Sequence, residues 1–128
     1  MTLVKLGLAP KHFYVLEVRG RKSGRLFSTP VDPLELDGRL YLVAPRGRAN
    51  WVRNTEAAEE ITLTRGSKRG RYRARDVPLP SRAPVLKAYL DAFAAEVQRF
   101  FPVPKGSALD RFEDLAPRYP VFELERLD

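Results

Sequence analysis

The chain has 128 residues, 44% of them hydrophobic, and a formal net charge of +7. This composition excludes a disordered chain and predicts a single globular domain over residues 1–128. The lack of cysteine excludes disulfides and thiolate chemistry, and the single histidine, His12, excludes a multi-histidine metal centre, so we expect no metal site.

Apolar runs and period-two alternation predict much of the chain to be β-structure. The predicted strands, about six in all, cover residues 13–19, 27–36, 39–44, 61–64, 71–77 and 121–127. Pro30 and Pro33 interrupt the second strand. Because proline cannot donate to a sheet ladder, that strand should lie at an edge or carry a bulge. Asp37-Gly38 is a typical two-residue hairpin turn and should join this strand to the next.

Helical periodicity appears at three places. Asn50 is a candidate N-cap for a short helix over residues 51–59, and residues 83–101 form one long amphipathic helix. Ser107 is a candidate N-cap for a last short helix that Pro117 ends. Antiparallel strands with one main helix late in the chain predict a mainly β, α+β fold, which is a small antiparallel barrel with helices packed outside.

A basic loop, GRKSGR, lies between the first two predicted strands at residues 20–25. Gly20 and Gly24 can adopt positive φ and let the backbone approach a ligand. Ser23 and the loop N–H groups can donate hydrogen bonds to phosphate oxygens. The loop cations that can add charge-assisted contacts are Arg21, Lys22 and Arg25. These residues describe either an anion-binding loop or a solvated basic turn.

Several short segments occur in an order and spacing that match a known family. They are GRKSG at 20–24, STP at 28–30, DG at 37–38, LVAPRG at 42–47, NWVRN at 50–54 and APRYPVF at 116–122. Together they resemble the deazaflavin-dependent nitroreductase family, which includes the F420-dependent quinone reductases. The resemblance implies a split β-barrel of the flavin-binding type. It also implies hydride transfer from the deazaflavin coenzyme F420 to a quinone or another electron-poor conjugated compound.

The resemblance extends to individual residues. The cofactor-binding residues that it implies are Arg21, Lys22, Ser23, Gly24, Arg25, Ala44, Pro45, Arg46, Gly47, Trp51 and Asn54. The basic loop would meet the phosphate and acidic tail, and residues 44–47 would run along the ring system. Asn54 would hold the loop geometry through backbone contacts. Relatives often carry an arginine where this chain has Phe27, and Arg25 is expected to replace that contact.

The substrate side is less marked in the sequence. Because the deazaflavin carries the hydride, the protein has to bind, orient and exclude water. The candidate proton donors for the product oxyanion are Tyr89, Tyr41 and solvent, and the sequence does not rank them. Phe100 and Phe101, at the end of the long helix, are predicted to shape the substrate site. Their apolar character favours a flat quinone over a nitroaromatic compound.

Several alternatives stay open at this point. FMN resembles deazaflavin closely enough to replace F420, and the scaffold could also be a non-catalytic binder of lipid or another apolar ligand. A basic barrel can bind single-stranded nucleic acid, but residues 71–73 are the only basic-aromatic interleaving, so we expect none. The absence of an apolar run and of a signal peptide predicts a cytoplasmic protein with peripheral membrane contact left open. Split barrels of this type often dimerise, so a homodimer is expected.

Overall fold

The computed structural model describes residues 14–128, so the predictions for His12 and Phe13 lie outside the described residues. The strands of the described part are β1 (Tyr14–Arg19), β2 (Leu26–Val31), β3 (Leu34–Leu36), β4 (Arg39–Val43), β5 (Glu60–Arg65), β6 (Lys68–Asp76) and β7 (Val121–Arg126). Its α-helices are α1 (Asn50–Ala58), α2 (Arg82–Val97) and α3 (Leu109–Leu115). Single 3-10 turns occur at Leu79–Ser81, Gln98–Phe100 and Ala116–Arg118. The predicted α+β composition is confirmed.

The described strands form one antiparallel sheet in the order β2-β1-β5-β6-β7-β4-β3. The sheet has one strand more than expected because residues 27–36 are two strands. The chain leaves β2 at Val31 and begins β3 at Leu34, and Pro33 between them has no N–H to offer a ladder. β2 and β3 are the two edges of the sheet, which confirms the edge position inferred from Pro30.

The short link between the two edge strands explains the curvature of the sheet. The three steps from Val31 to Leu34 span at most about 11 Å. Seven strands laid flat would hold their outer edges about 29 Å apart. The sheet therefore curls into an open barrel whose edges approach each other at Asp32 and Pro33, which is the split-barrel arrangement.

The curled sheet separates two apolar clusters, and β4 contributes to both. Leu42 belongs to the inner cluster, whereas Tyr41 and Val43 belong to the cluster that includes residues of α2 and α3. Burial on both faces accounts for the continuous apolar run of this strand. Val52 of α1 joins the inner cluster, and α1 packs against β1, β5 and β6.

The predicted turn is confirmed, but both predicted helix caps are wrong. Asp37 and Gly38 have φ values of 52° and 75°, as this hairpin turn requires. Ala49 is the N-cap of α1 and Ala108 that of α3, and neither makes a side-chain capping bond. Asn50 is already helical, and Ser107 Oγ instead donates to the carbonyl of Pro104 at 2.6 Å, so neither side chain caps a helix.

The long helix is shorter than its apolar periodicity predicts. It ends at Val97 and continues as a 3-10 turn to Phe100, and Phe93 has non-helical φ and ψ values of −122° and 24°. Phe101 follows in an extended conformation. The aromatic residues at this end therefore do not share one helical face. Among residues 14–128, no helix has the length and apolar character needed to cross a membrane.

Candidate functional site

The basic loop between β1 and β2 is closed by its own backbone. The N–H of Gly20 donates to the carbonyl of Arg25 at 2.7 Å, and the N–H of Gly24 donates to the carbonyl of Gly20 at 2.9 Å. Gly24 has a φ of 74°, the left-handed value that favours glycine. Gly20 does not adopt positive φ and is needed for another reason, because a Cβ there would lie 2.5 Å from Phe27 Cε2. The loop is thus a shaped turn, with Phe27 packed on its base.

Asn54 connects this loop to α1. Its side chain is 5% exposed, and its Oδ1 accepts from the backbone N–H of Arg21 at 3.1 Å and from Arg21 Nη1 at 2.7 Å. The amide is neutral, so these bonds fix the arginine without cancelling its charge. The loop geometry therefore depends on α1, as expected for Asn54.

A cavity of about 500 Å³ opens beside this loop. Its lining includes five of the residues that the family resemblance implies, namely Arg21, Lys22, Ser23, Trp51 and Asn54. Ala49 and Asn50, at the start of α1, line it too. The start of α1, with the positive end of its dipole, therefore lies at this cavity, and no side chain caps its first N–H groups. We call it the loop cavity; its donors and charges suit an anion.

A second cavity, of about 590 Å³, lies between residues 45–46 and the end of α2. Its apolar lining includes Pro45, Val97 and Phe100, and Tyr89 contributes from the middle of α2. The guanidinium carbons of Arg46 and Arg99 lie 5.1 and 4.8 Å from the centre of the Phe100 ring. We call this the aromatic cavity; it combines an apolar wall with two cations.

The two cavities adjoin. Thr29, Ala49 and Trp51 line both of them, so the Trp51 side chain stands at their border. The indole ring is held from behind by Phe122, with ring centres 6.1 Å apart and planes tilted by 54°. A ligand that occupies the loop cavity therefore comes next to one in the aromatic cavity.

Two acidic residues also line the aromatic cavity. Asp32 and Glu96 line it, and their charges act on the Tyr89 hydroxyl. Burial of Tyr89, and then these two carboxylates, raise the pKa of its hydroxyl far above the usual range. Tyr89 therefore stays protonated and can serve as a hydrogen-bond donor. Tyr41, the other candidate, is buried in the cluster with α2 and lines neither cavity.

Some of the residues that the sequence analysis assigned to cofactor or substrate binding lie outside both cavities. Those that line neither are Gly24, Arg25, Ala44, Gly47 and Phe101. Ala44 is buried, and its N–H donates to the carbonyl of Pro120 at 2.9 Å. Phe101 is 6% exposed and stacks on Tyr119, with ring centres 4.5 Å apart. Their contacts with a cofactor or substrate stay predictions, and in the structure these residues shape the turns and the core behind the cavities.

Other cavity residues were not found from the sequence. Thr29 and Asp32 lie in or just after β2, and Glu96 and Arg99 lie near the end of α2. Nothing in a local pattern distinguishes these polar side chains from solvated ones, since only the approach of the sheet edge to the helix brings them together. Within residues 14–128, no group of three or more His, Asp or Glu side chains could hold a metal ion.

Solved structures share this architecture. An F420-H2 dependent reductase, FDR-A, is 22% identical with a TM-score of 0.59, over 90% of this chain and 95% of that one. A protein described as a domain-swapped dimer is 22% identical with a TM-score of 0.62, over 92% and 83%. A FAD-binding protein from Mesorhizobium loti is 12% identical with a TM-score of 0.60, over 99% and 89%. At these identities the likeness shows the split-barrel fold alone.

The family follows from the sequence match. The F420H2-dependent quinone reductase family matches residues 4–102, more than half of the chain, so the chain belongs to this family of oxidoreductases. No curated protein matches the chain significantly. The family recognised from the short motifs is confirmed.

Proposed function

We propose that the protein transfers a hydride from reduced F420 to a quinone or another electron-poor conjugated small molecule. The observation that carries this proposal is the border at Trp51, where a cationic cavity adjoins an aromatic one. When bound, reduced F420 supplies the hydride. The chain's own residues have to bind both partners side by side and stabilise the charge that arrives on the acceptor.

The donors of the loop cavity fit the anionic part of F420. Arg21 and Lys22 bring two positive charges, and Ser23 brings a hydroxyl. The uncapped start of α1 adds N–H groups, which favour negative charge. Asn54 holds Arg21 in place and so reduces the entropy that binding would cost. The acidic tail and phosphate would therefore lie against these residues.

The aromatic cavity fits a flat acceptor. Pro45, Val97 and Phe100 offer apolar surface for a planar ring. Hydride addition to a quinone leaves negative charge on an acceptor oxygen. Arg46 and Arg99, gathered about Phe100, are placed to stabilise that charge as it develops.

Tyr89 has a defined part in this scheme. Because its pKa is raised, the phenol is a poor acid but a reliable hydrogen-bond donor at neutral pH. We therefore assign it the role of donating a hydrogen bond to an acceptor oxygen, with solvent as the final proton source. Tyr41 has no part, because it lies away from both cavities.

A parallel titration with F420 and FMN, together with turnover of menadione by reduced F420, tests the proposal. We expect a micromolar dissociation constant for F420, equivalent to about −8 kcal/mol, weaker binding of FMN, and measurable turnover. The family match lends no support to FMN. Tighter binding of FMN would overturn the cofactor assignment, and F420 binding without turnover of any quinone would favour a non-catalytic binder.

We also expect a homodimer. β2 is an edge strand, and its Leu26 and Phe27 side chains are 53% and 46% exposed. In a homodimer that pairs along this edge, the Leu26 side chain would lie at the interface. Light scattering at micromolar concentration should give twice the chain mass, and Leu26→Ser should lower it. A monomer at every concentration would contradict this expectation.

A further inference from the structure

Tyr119, just before β7, holds the backbone beside the aromatic cavity. Its hydroxyl donates to the carbonyl of Phe100 at 2.5 Å, and its side chain is 2% exposed. Its ring stacks on Phe101, with centres 4.5 Å apart and planes 18° from parallel. One buried side chain therefore fixes both the carbonyl of Phe100 and the ring of the next residue.

The next residue, Pro120, holds the opposite wall. Its carbonyl accepts the N–H of Ala44 at 2.9 Å, where the chain enters the turn that carries Arg46. The N–H of Gly47 closes that turn on the carbonyl of Ala44 at 3.1 Å. Arg46 in turn contacts the ring of Phe100. Residues 119 and 120 thus connect to both sides of the same cavity.

The segment around Phe100 depends on such a contact. It is a 3-10 turn that follows the last residue of α2, where carbonyl groups lack partners within the helix. The N–H of Phe101 bonds back to Gln98 at 3.0 Å, but the carbonyl of Phe100 points the other way along the chain and is bound by Tyr119. Removing the hydroxyl would leave this carbonyl without that partner, and the turn could shift.

We propose that Tyr119 is a positioning residue for the acceptor, because its hydroxyl sets how Phe100 lines the aromatic cavity. This inference rests on the proposed function, in which the acceptor occupies that cavity. It assigns no contact between Tyr119 and the acceptor, since Tyr119 lines neither cavity.

The test uses Tyr119→Phe, which keeps the ring and its stacking on Phe101. Trp51 is the single tryptophan of the chain and lines the aromatic cavity, so quenching of its fluorescence by menadione reports acceptor binding without turnover. We expect the dissociation constant and KM of menadione to rise about threefold to tenfold, as for one lost hydrogen bond. The affinity for F420 should change little, and the melting temperature should fall because the carbonyl of Phe100 loses its buried partner.

The matched control is Tyr72→Phe. That hydroxyl, on β6, accepts from Arg126 Nη1 at 3.3 Å, and Tyr72 lines neither cavity. The Tyr72→Phe variant should leave menadione binding unchanged. A lower melting temperature for Tyr119→Phe with unchanged menadione binding would show a purely structural role and overturn the inference.

A double-mutant cycle distinguishes an effect of Tyr119 that is exerted through Phe100 from a general loss of structural stability. If Tyr119 acts through Phe100, Tyr119→Phe should add nothing to the rise in menadione KM caused by Phe100→Leu. Additive effects would overturn the inference while leaving the proposed function intact. Failure of menadione to quench the wild-type protein would overturn both, because the acceptor would then not occupy this cavity.

Discussion

The loop cavity and the aromatic cavity adjoin at Trp51, but they are built in different ways. The loop cavity takes most of its charge from one run, residues 20–25, which is closed mainly by bonds between sequence neighbours and tied to α1 through Asn54. The aromatic cavity gathers distant segments, and residues 119–120 fix its walls from behind. Substitutions in the first should change ligand affinity alone, whereas those of the buried residues behind the second should also change stability.

The largest expected effect is on stability, behind the aromatic cavity. Phe101 packs against Tyr89, Phe112 and Tyr119 and is 6% exposed. Phe101→Ala should therefore lower the free energy of unfolding by about 3–5 kcal/mol, measured by urea denaturation. The control is Phe27→Ala, which removes the same side chain from a position that is 46% exposed. Equal losses of unfolding free energy in the two variants would contradict the proposed difference between the two cavities.

The next effect is on cofactor affinity. A hydrogen bond to a charged group contributes about 1.5–3 kcal/mol, so Lys22→Ala should weaken F420 binding roughly tenfold to a hundredfold. The melting temperature should not change, because Lys22 is exposed. Lys68→Ala, an exposed lysine in the β5–β6 hairpin, serves as the matched control. Wild-type affinity in the Lys22 variant would mean that the loop is only a solvated turn.

A smaller effect is expected on acceptor binding. Phe100 is half-buried and borders the aromatic cavity, so Phe100→Leu should raise the KM of menadione about threefold to tenfold with little thermal loss. The affinity for F420 should stay at the wild-type value, the reverse of the pattern for Lys22→Ala. If each variant changes both ligands to the same degree, the two cavities are not separate sites.

The last expected effect, similar in size to that on acceptor binding, concerns pH. Burial raises the pKa of Tyr89 above that of an unfolded tyrosine, so the folded state holds this proton more tightly. The associated stability is complete below about pH 10 and falls by up to about 1.4 kcal/mol per pH unit above it. Urea denaturation at pH 8 and at pH 11 should therefore show a larger loss for wild type than for Tyr89→Phe. Equal losses would mean that the hydroxyl is not buried in solution.

Local patterns determined the parts of this protein that depend on neighbouring residues. Asp37-Gly38 specified a hairpin because such a turn requires positive φ at both positions. Pro30 specified an edge strand because it has no N–H to donate. The basic loop and the short motifs also revealed the family, since those segments carry their residue types in one order.

Only the tertiary structure decided which of several similar residues border a cavity. Tyr41 and Tyr89 both occupy apolar patterns and both are buried, but the packing of α2 on the sheet places only Tyr89 beside the aromatic cavity. Phe100 and Phe101 are adjacent, and the end of α2 at Val97 turns one toward the cavity and the other into the core. The sequence does not show these choices, because they depend on contacts between segments that are far apart along the chain.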